Sequence, residues 1–394
     1  MTGPPEPRDW AMPGEAGAGS AGAADGNGKG RSRGGAAAPG PVPAPATRAD
    51  SDKSEPPAAP PKADASAEGA RGDPAEPPGQ TPGQGQIPGQ EQTPARAMAR
   101  ALALGRERLA FAEDPVREAR SLLAHAAGVT RERLSLLGPD ALGPDALGPE
   151  ALARYRALLE RRSAREPMAQ ILGYRDFFDH RFEVTPDVLD PRPETETLVC
   201  AGLEAPFARV LDLGTGSGCI LLSLLAARPE AEGLGTDLSP AALAVARQNA
   251  ERLGLGGRAR FDRADWFDGI AGRFDLIVSN PPYIAAAEIA ALAPEVRERE
   301  PLMALTDGGD GLGAYRAIAA GAAAHLAPGG RLALEIGVGQ GAAVAAILAA
   351  AGLAPAGRRR DLDERERVVL ACSLPKGAGQ APFEPLEPHI RRPK

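Results

Sequence analysis

Residues 209–218 read RVLDLGTGSG, and this stretch decides which fold the larger part of the chain adopts. The apolar residues that lead up to Gly214 indicate a short buried strand. The glycines that follow permit a tight turn, and the apolar run from Cys219 to about Ala227 is typical of a buried helix. The stretch therefore predicts a strand, a glycine turn and a helix in direct succession.

The alternation of strand and helix continues along the rest of this region. Further strands are predicted to end at Asp237, Arg263, Asn280, Ile336 and Cys372. Helices are predicted for residues 240–253, 312–326 and 340–351. Such alternation builds a mostly parallel sheet with helices on both faces, so we predict a doubly wound α/β fold. The basic run at 358–360 is interpreted as a solvated surface.

The two ends of the chain differ from its middle in composition. Residues 1–95 contain nearly half of the 40 prolines, and most of the remainder is Gly, Ala, Ser, Gln and charged residues. A segment of this kind buries too little apolar surface to offset its ordering entropy, so we expect a disordered extension. Residues 374–394 are similarly rich in Pro and Gly and are expected to form a loose tail.

Two smaller regions are predicted between the extension and the α/β domain at 191–373. Helical spacing over 96–166 indicates a small bundle. The repeat at 138–152 reads GPDAL, GPDAL and GPEAL and is interpreted as a surface-loop insertion, because prolines at this spacing forbid a long helix. Its last copy is predicted to start another helix. Apolar and aromatic residues at 168–185 predict a β-hairpin within a linker at 167–190.

Charge and cysteine content narrow the classes of function. The formal net charge of −7 argues against non-specific binding to nucleic acid or to an anionic membrane as the main activity. The three cysteines, Cys200, Cys219 and Cys372, have neither metal-site nor disulfide spacing, which favours a reducing cytoplasm. No apolar run is long enough to span a bilayer, and no metal site is expected.

The glycine turn is the first candidate binding site. Its spacing is Gly-x-Gly-x-Gly, whereas loops that hold a pyrophosphate favour Gly-x-Gly-x-x-Gly, although a glycine turn alone could equally bind a dinucleotide. Asp237 follows roughly 20 residues later at a strand end, where a carboxylate can accept both ribose hydroxyls. We therefore expect an adenosine ligand without a diphosphate. S-adenosylmethionine fits this description, with Asp265 and Trp266 beside its adenine.

Residues 280–283 read NPPY and are the second candidate site, because they end the apolar run at 274–279. The prolines stop the strand, so an Asn, a rigid turn and an aromatic ring stand at the sheet edge where ligands bind. The Asn280 side-chain oxygen and the Pro281 carbonyl can accept the two N–H groups of a planar amide or amine. The ring of Tyr283 can stack on that group while a methyl group is transferred to it.

The stretch PRPETE at 191–196 permits two interpretations. Proline followed by carboxylates is typical of a helix start, where acidic groups complement the helix dipole. The alternative is that Arg192 or the carboxylates border the active site, and the spacing alone does not separate the two. No role is predicted for Asp190.

Five stretches occur together in this chain: PRPETE at 191–196, LDLGTGSG at 211–218, SNPPYI at 279–284, DGGDGL at 307–312 and LEIG at 334–337. In this combination the chain resembles the peptide chain release factor glutamine methyltransferase family over about residues 96–373. The resemblance implies a seven-stranded methyltransferase sheet, S-adenosylmethionine as methyl donor, and methylation of the glutamine amide in the Gly-Gly-Gln motif of release factors. It also implies that the helical N-terminal domain recognises the release factor.

The resemblance also assigns roles to residues of this chain. Cofactor binding is expected at Gly214, Thr215, Gly216, Ser217, Gly218, Asp237, Trp266 and Asn280. Substrate binding is expected at Asn280, Pro281, Pro282 and Tyr283, with Asn280, Pro281 and Tyr283 taking part in catalysis.

Two rival functions agree with the same motifs. An adenine methyltransferase acting on DNA or RNA needs the same two acceptors, but it must hold a polyanion, and the acidic balance counts against direct nucleic-acid binding. A non-catalytic S-adenosylmethionine-binding adaptor would tolerate the loss of Asn280 or Tyr283, and both are present.

Overall fold

The computed structural model describes residues 94–136 and 147–373. Nearly all of the extension predicted at 1–95 lies outside the described residues, and so does the tail at 374–394. The repeat at 138–152 is described only from residue 147 onward, where its last copy starts a helix as predicted.

The described N-terminal region is helical. Its helices are α1 (Pro94–Arg108), α2 (Pro115–Ala126), α3 (Arg131–Leu136), α4 (Pro149–Ser163) and α5 (Met168–Leu172). The Asp114 carboxylate caps α2 by accepting the Arg117 amide at 2.9 Å, as expected of an Asp that precedes an N-terminal proline. Leu122, Leu123 and Tyr155 are fully buried between these helices, so the bundle has an apolar core of its own.

A short hairpin follows the bundle, formed by β1 (Tyr174–Phe177) and β2 (His180–Glu183) in antiparallel pairing. The prediction of a hairpin is confirmed, but its predicted start at residue 168 is wrong, because 168–172 forms α5. Gly173 ends α5 with a φ of +79°, a conformation that glycine adopts without a Cβ clash. Ile171 packs into the core of the bundle, and this tertiary contact overrides the strand-like local pattern.

The α/β domain is built on one seven-stranded sheet. Its strands are β3 (Arg209–Leu213), β4 (Glu232–Asp237), β5 (Ala259–Arg263), β6 (Phe274–Ser279), β7 (Leu326–Glu335), β8 (Leu353–Arg360) and β9 (Glu366–Ser373). The order is β5-β4-β3-β6-β7-β9-β8, with parallel pairing from β5 to β7 and antiparallel pairing of β9 with both of its neighbours. The predicted mostly parallel, doubly wound sheet is confirmed.

Helices cover both faces of this sheet. The helices of this domain are α6 (Glu196–Leu203), α7 (Cys219–Ala227), α8 (Pro240–Arg252), α9 (Pro294–Arg297), α10 (Leu302–Leu305), α11 (Gly313–His325) and α12 (Gly341–Ala350), with 3-10 turns at Pro193–Thr195 and Ala286–Ala291. Successive side chains of β3 point to opposite faces of the sheet, and each face packs against its own apolar cluster. Val210 packs with α6 and α7, whereas Leu211 packs with α11 and α12. Both faces of the sheet are therefore apolar.

Strand β8 is absent from the sequence-based prediction, which placed the run 358–360 on a solvated surface. The run is exposed, but it belongs to the edge strand of the sheet and pairs with β9. Arg358 and Arg359 form ion pairs with Glu366 and Glu204, and only Leu353 at the start of the strand is buried. An edge strand with so little buried surface lacks the apolar pattern that marks central strands.

Arg162 of α4 joins the bundle to the α/β domain. Its guanidinium donates to the Glu118 carboxylate of α2 at 2.8 Å and to the Glu295 carboxylate of α9 at 3.2 Å. The Arg162 side chain is only 6% exposed, and each carboxylate is 20% exposed. Two carboxylates from different domains thus share one buried cation.

Replacing Arg162 with leucine is expected to lower the free energy of unfolding by about 2 to 3 kcal/mol, because Glu118 loses its partner in a largely dry site and Glu295 keeps only Arg165, at 3.4 Å. The neighbouring Arg161 pairs with Glu166 at the surface and provides the control. Arg161→Leu should cost less than about 1 kcal/mol. Urea unfolding of the two variants measures both effects, and equal losses would contradict the assigned role of Arg162.

Candidate active site

A cavity of about 480 Å³ opens at the carboxyl ends of the central strands. Its wall includes the turn after β3, the residues after β4 and β5, and the residues after β6. Ligands of open α/β sheets bind at this edge, because the chain there leaves the sheet in loops that can be shaped around them. The two candidate sites predicted from the sequence therefore face one cavity.

The glycine turn forms one wall. Gly214 and Gly216 have φ values of +69° and +55°, and a Cβ at either position would meet no protein atom within 4 Å. Both glycines line the cavity, so their missing side chains leave room for a ligand close to the backbone. Gly218 differs, since a Cβ there would lie 3.1 Å from Leu222 in α7. It allows the turn to pack against its own helix.

Two carboxylates hold the glycine turn in place. Asp212 is fully buried beneath it and accepts the Thr215 hydroxyl at 2.7 Å. Burial raises the pKa of Asp212 to about 7, an effect that the bond from Thr215 partly offsets. Asp237 accepts the Gly216 amide at 3.0 Å with one oxygen and the Ser239 amide at 2.9 Å with the other.

Asp237 also lines the cavity, which suits it to a second task. A carboxylate offers about four lone-pair sites, and the two backbone bonds use only two of them. The remaining sites can accept a ribose diol. Burial raises the pKa of Asp237, and the bonds from the Ser239 and Gly216 amides counteract this shift.

Trp266 also lines the cavity, after β5. Its φ of +51° lies in the left-handed region, which is uncommon for a residue with a bulky side chain. Such strain clusters at ligand sites, where the surrounding structure enforces it. The indole is half-buried, and together with the neighbouring Asp265 it provides a flat surface and a carboxylate to the cavity.

The side chain of Asn280 is oriented by one contact from a distant part of the chain. Its amide Nδ2 donates to the Thr195 hydroxyl at 3.2 Å, across a sequence separation of 85 residues. Thr195 ends the 3-10 turn Pro193–Thr195 and is buried. Because Nδ2 is used in this way, the amide oxygen of Asn280 is free to face the cavity.

The backbone after Asn280 is held by two further loops. The Tyr283 carbonyl accepts the Gln340 side-chain amide at 2.9 Å, and the Ile284 amide donates to the Leu305 carbonyl at 3.0 Å. The Asp307 carboxylate orders the loop beyond by accepting the amides of Gly309 and Gly313 at 2.8 and 2.6 Å. The proline turn is thus clamped from the outside, while its inner edge faces the cavity.

Glu335 ends β7 directly beside this turn. Ser279 pairs with Leu334 in the parallel register of β6 and β7, so the next residues, Asn280 and Glu335, are neighbours. Glu335 is 1% exposed, and neither of its oxygens has a hydrogen-bond partner among the described residues. Burial raises its pKa to about 7, against opposing effects of the Thr195 hydroxyl and the Arg367 guanidinium.

Glu335 is expected to make stability depend on pH. Its folded pKa of about 7 exceeds its ordinary value of 4.5, so its stabilising contribution is complete below about pH 4.5 and is lost as pH rises to about 7. Glu335→Leu removes the carboxyl group and with it this pH-dependent loss of stability. Urea unfolding at pH 5 and pH 8 should show a decline in unfolding free energy that is smaller in Glu335→Leu than in wild type by about 2 kcal/mol. An unchanged decline would exclude the raised pKa.

Charged residues around PRPETE are paired with one another. Arg192 lines the cavity and donates to the buried Glu300 at 2.5 Å, and Asp190 accepts two bonds from Arg175. Burial raises the pKa of Glu300 to about 7, while Arg192 opposes the shift. The sequence left Arg192 open between a helix start and a site border. Both interpretations agree with the structure, because Arg192 precedes the 3-10 turn Pro193–Thr195 that leads into α6 and also lines the cavity. The pair with Arg175 accounts for the polar residue at 190.

Most of the predicted site residues meet at the one cavity. Those that line it are Gly214, Thr215, Gly216, Ser217, Asp237, Trp266, Asn280 and Pro282. Gly218, Pro281 and Tyr283 lie just outside the lining. Pro281 is buried, and the ring of Tyr283 packs into the core beside Gly337. The roles predicted for all of these residues remain predictions.

Three residues that support the site were given no role by the sequence analysis: Thr195, Glu335 and Gln340. Thr195 and Glu335 lie inside stretches that were recognised as motifs. The position of Glu335 at a strand end, next in register to Asn280, is the signal that could have singled it out. Gln340 carries no local signal, because its partner lies 57 residues away.

Other kinds of site were sought in the part of the chain that the structure describes. In these residues, no group of three or more His, Cys, Asp or Glu side chains could hold a metal ion. Over the same ranges, none of the helices combines the length and the apolar character needed to cross a membrane.

The sheet order, with its antiparallel last strands, and the cavity between the glycine turn and NPPY define a methyltransferase. Comparison with known families agrees. The model of the methyltransferase small domain matches residues 193–310, and that of the PrmC N-terminal domain matches residues 100–173. The chain belongs to the release factor glutamine methyltransferase family, because it is 58% identical to that protein of Cereibacter sphaeroides over 68% of this chain and 95% of the relative.

Further similarities extend over the same region. The release factor glutamine methyltransferase of Rhodospirillum rubrum is 49% identical over 68% of this chain and 81% of its own length. Among solved structures, TrmN from Thermus thermophilus is 27% identical, with a TM-score of 0.34 over 46% of this chain and 48% of that one. The strand order β5-β4-β3-β6-β7-β9-β8 of this chain identifies its fold directly.

Proposed function

We propose that this protein transfers a methyl group from S-adenosylmethionine to the side-chain amide nitrogen of the glutamine in the Gly-Gly-Gln motif of peptide chain release factors. The observation that carries the proposal is the orientation of Asn280. Its Nδ2 donates to Thr195, which leaves its oxygen available at the cavity that also contains the glycine turn and Asp237. An acceptor in this position suits an incoming N–H donor.

The amide nitrogen of glutamine is a weak nucleophile, because its lone pair is delocalised into the carbonyl. It carries two N–H groups, and two acceptors can hold both of them: the Asn280 side-chain oxygen and the Pro281 carbonyl. Fixing both N–H groups orients the nitrogen toward a methyl donor in the same cavity, which is catalysis by positioning. We also assign to Tyr283 the stacking of its ring on the flat amide, which requires that the ring leave its position beside Gly337 as the amide enters.

The cavity fits the expected methyl donor. The space left by Gly214 and Gly216 admits a ligand against the backbone, and Asp237 has lone pairs free for a ribose diol. Trp266 offers an aromatic surface for an adenine. When bound, S-adenosylmethionine supplies an electrophilic methyl group on a sulfonium. We assign its binding to these residues together with Thr215, Ser217, Gly218 and Asn280.

Acceptor oxygens of the protein stabilise the positive charge that develops during the transfer. As the new carbon–nitrogen bond forms, the carbon–sulfur bond of the donor breaks and its electron pair stays on sulfur, which becomes a neutral thioether. Positive charge thereby moves to the amide nitrogen, where the Asn280 and Pro281 oxygens stabilise it. One N–H proton then leaves to solvent and restores a neutral, methylated amide. This sequence requires no strong general base, which agrees with the absence of His from the cavity lining in the described residues.

The helical bundle is our candidate for recognition of the release factor in the cytoplasm. The buried Arg162 links it to α9, and the Gln170 side chain donates to the Arg299 carbonyl at 3.0 Å. Both contacts are made to the segment that follows NPPY. A partner docked on the bundle would therefore be held at a fixed distance from Asn280.

Direct assay of the purified protein tests the proposal. It is incubated with S-adenosylmethionine and a bacterial release factor, and the Gly-Gly-Gln peptide is analysed by mass spectrometry. We expect one added methyl group on that glutamine and none on a release factor in which the glutamine is replaced by alanine. A duplex DNA substrate should remain unmodified. Methylation of the DNA, or of another release factor residue, would contradict the proposal.

A further inference from the structure

Asn280, Thr195 and Glu335 form a chain of side chains that leads from the cavity into the core. Asn280 and Thr195 line the cavity, and Glu335 lies behind them. Asn280 Nδ2 donates to Thr195 Oγ1 at 3.2 Å. The mechanism described above uses Asn280 and the contact of its Nδ2 with Thr195, but it gives no role to Glu335.

An Asn side chain can bind in two orientations, because its oxygen and its NH₂ group have nearly the same shape. A threonine hydroxyl accepts both, since it can donate to the oxygen or accept from the NH₂ group. If Thr195 donated its proton to Asn280, the NH₂ group of Asn280 would face the substrate. That orientation places N–H against N–H and excludes binding of a glutamine amide. Thr195 alone therefore does not determine the orientation of Asn280.

Glu335 offers an acceptor that can determine whether the Thr195 hydroxyl donates to Asn280 or accepts from it. It is buried, both of its oxygens lack a hydrogen-bond partner in the described residues, and it is next in register to Asn280. The Thr195 hydroxyl accepts from Asn280, and its own proton has no acceptor among the described residues. This hydroxyl forms no hydrogen bond with Glu335 in the structure, but it is close enough to lower the pKa of that carboxyl. Acceptance of the hydroxyl proton by Glu335 leaves a Thr195 lone pair for the Asn280 NH₂ group.

We propose that Glu335 is a positioning residue that accepts the Thr195 hydroxyl proton and thereby keeps the Asn280 oxygen directed at the substrate amide. The proposal rests on the proposed function, because it assigns a purpose to the orientation of Asn280. Glu335 does not line the cavity and transfers no proton in the reaction. A buried carboxylate without a full set of partners destabilises the fold, so its presence at this edge requires a function other than stability.

Paired substitutions at residue 195 test the hydroxyl. Thr195→Val keeps the shape of the side chain and removes the hydroxyl, whereas Thr195→Ser keeps the hydroxyl. We expect Thr195→Val to lower kcat for release factor methylation by roughly 10- to 100-fold, with little change in S-adenosylmethionine affinity, because the loss is one of orientation. Thr195→Ser should retain most of the rate. Equal rates in the two variants would overturn the proposal.

Glu335→Leu separates positioning from a structural role. It removes the acceptor and replaces an unpaired buried carboxylate with an apolar side chain, so it should unfold at a urea concentration no lower than wild type at pH 8. Its kcat should nevertheless fall as far as that of Thr195→Val. Combined with Thr195→Val, it should cause little further loss, because both changes break the same chain. A wild-type rate in Glu335→Leu would overturn the inference. A double variant whose loss in kcat equals the product of the two single losses would overturn it as well.

Wild-type protein measured in the same assay distinguishes failure of the inference from failure of the proposed function. If wild type does not methylate the release factor, the proposed function fails, and the inference fails with it. If wild type is active and Thr195→Val is equally active, only the inference fails.

Discussion

Asn280→Ala is expected to reduce methylation of the release factor by about 10³-fold or more, which exceeds the loss for any other single substitution at this site. Alanine removes the side-chain oxygen that accepts one substrate N–H, and the amide nitrogen is then free to rotate away from the donor. The carbonyl of Pro281 remains but holds only one of the two N–H groups. Single-turnover kinetics with saturating S-adenosylmethionine measure the loss in the chemical step.

The fold of this variant should be intact. Asn280 is only partly buried, and it makes one side-chain hydrogen bond, to Thr195 at 3.2 Å. Loss of one such bond costs about 1 kcal/mol, and the Thr195 hydroxyl can turn to another acceptor. Circular dichroism and urea unfolding provide the control. A variant that folds, binds the methyl donor and still methylates the release factor at the wild-type rate would contradict the mechanism.

Gly216→Val is expected to lower the affinity for S-adenosylmethionine by about 100-fold or more, because three added carbon atoms occupy the space where a ligand would contact the backbone. The Cβ would meet no protein atom within 4 Å, so the new side chain points into the open cavity. Isothermal titration calorimetry measures the affinity directly. The φ of +55° adds backbone strain to the steric effect.

A second glycine separates strain from obstruction. Gly254 has a φ of +69° and open space around its Cβ, but it follows α8 and does not line the cavity. Gly254→Val therefore carries a similar strain of roughly 1 to 2 kcal/mol without blocking the site. We expect it to bind S-adenosylmethionine as wild type does. Weakened binding in both variants would show that strain rather than collision is responsible.

The two predictions concern different parts of one cavity, and the failure of each would have a different meaning. Normal donor binding in Gly216→Val would show that the methyl donor does not bind at the glycine turn. Normal turnover in Asn280→Ala would show that Asn280 does not make the assigned contact with the substrate, and it would not affect the assignment of the donor site. Measured together, donor affinity and turnover therefore test the two halves of the site independently.

Local sequence pattern determined most of the regular structure. The strand before the glycine turn, the helix Cys219–Ala227 and the strand Ala259–Arg263 lie where the apolar spacing predicts them, within a residue of the predicted ends. Asp114 and Ser239 cap their helices through bonds to residues three positions on. These features depend on neighbours in the chain, so the sequence contains all the information that they require.

The prediction was wrong where distant contacts decide the outcome. Residues 168–172 form a helix because Ile171 packs into the bundle, and 353–360 forms an edge strand because β9 is available to pair with it. Neither partner is visible in the local pattern. Edge strands and short helices bury little surface of their own, and their conformation therefore follows that of the elements beside them.

The same division applies to the site. The sequence by itself determined which chemistry is present, since the glycine turn, Asp237 and NPPY are recognisable from residue type and spacing. Only the tertiary structure decided how the side chains of the site are oriented. Thr195 reaches Asn280 across 85 residues, and Glu335 comes beside it through the parallel pairing of β6 and β7. A hydrogen-bond direction depends on all the groups around it, and folding alone brings those groups together.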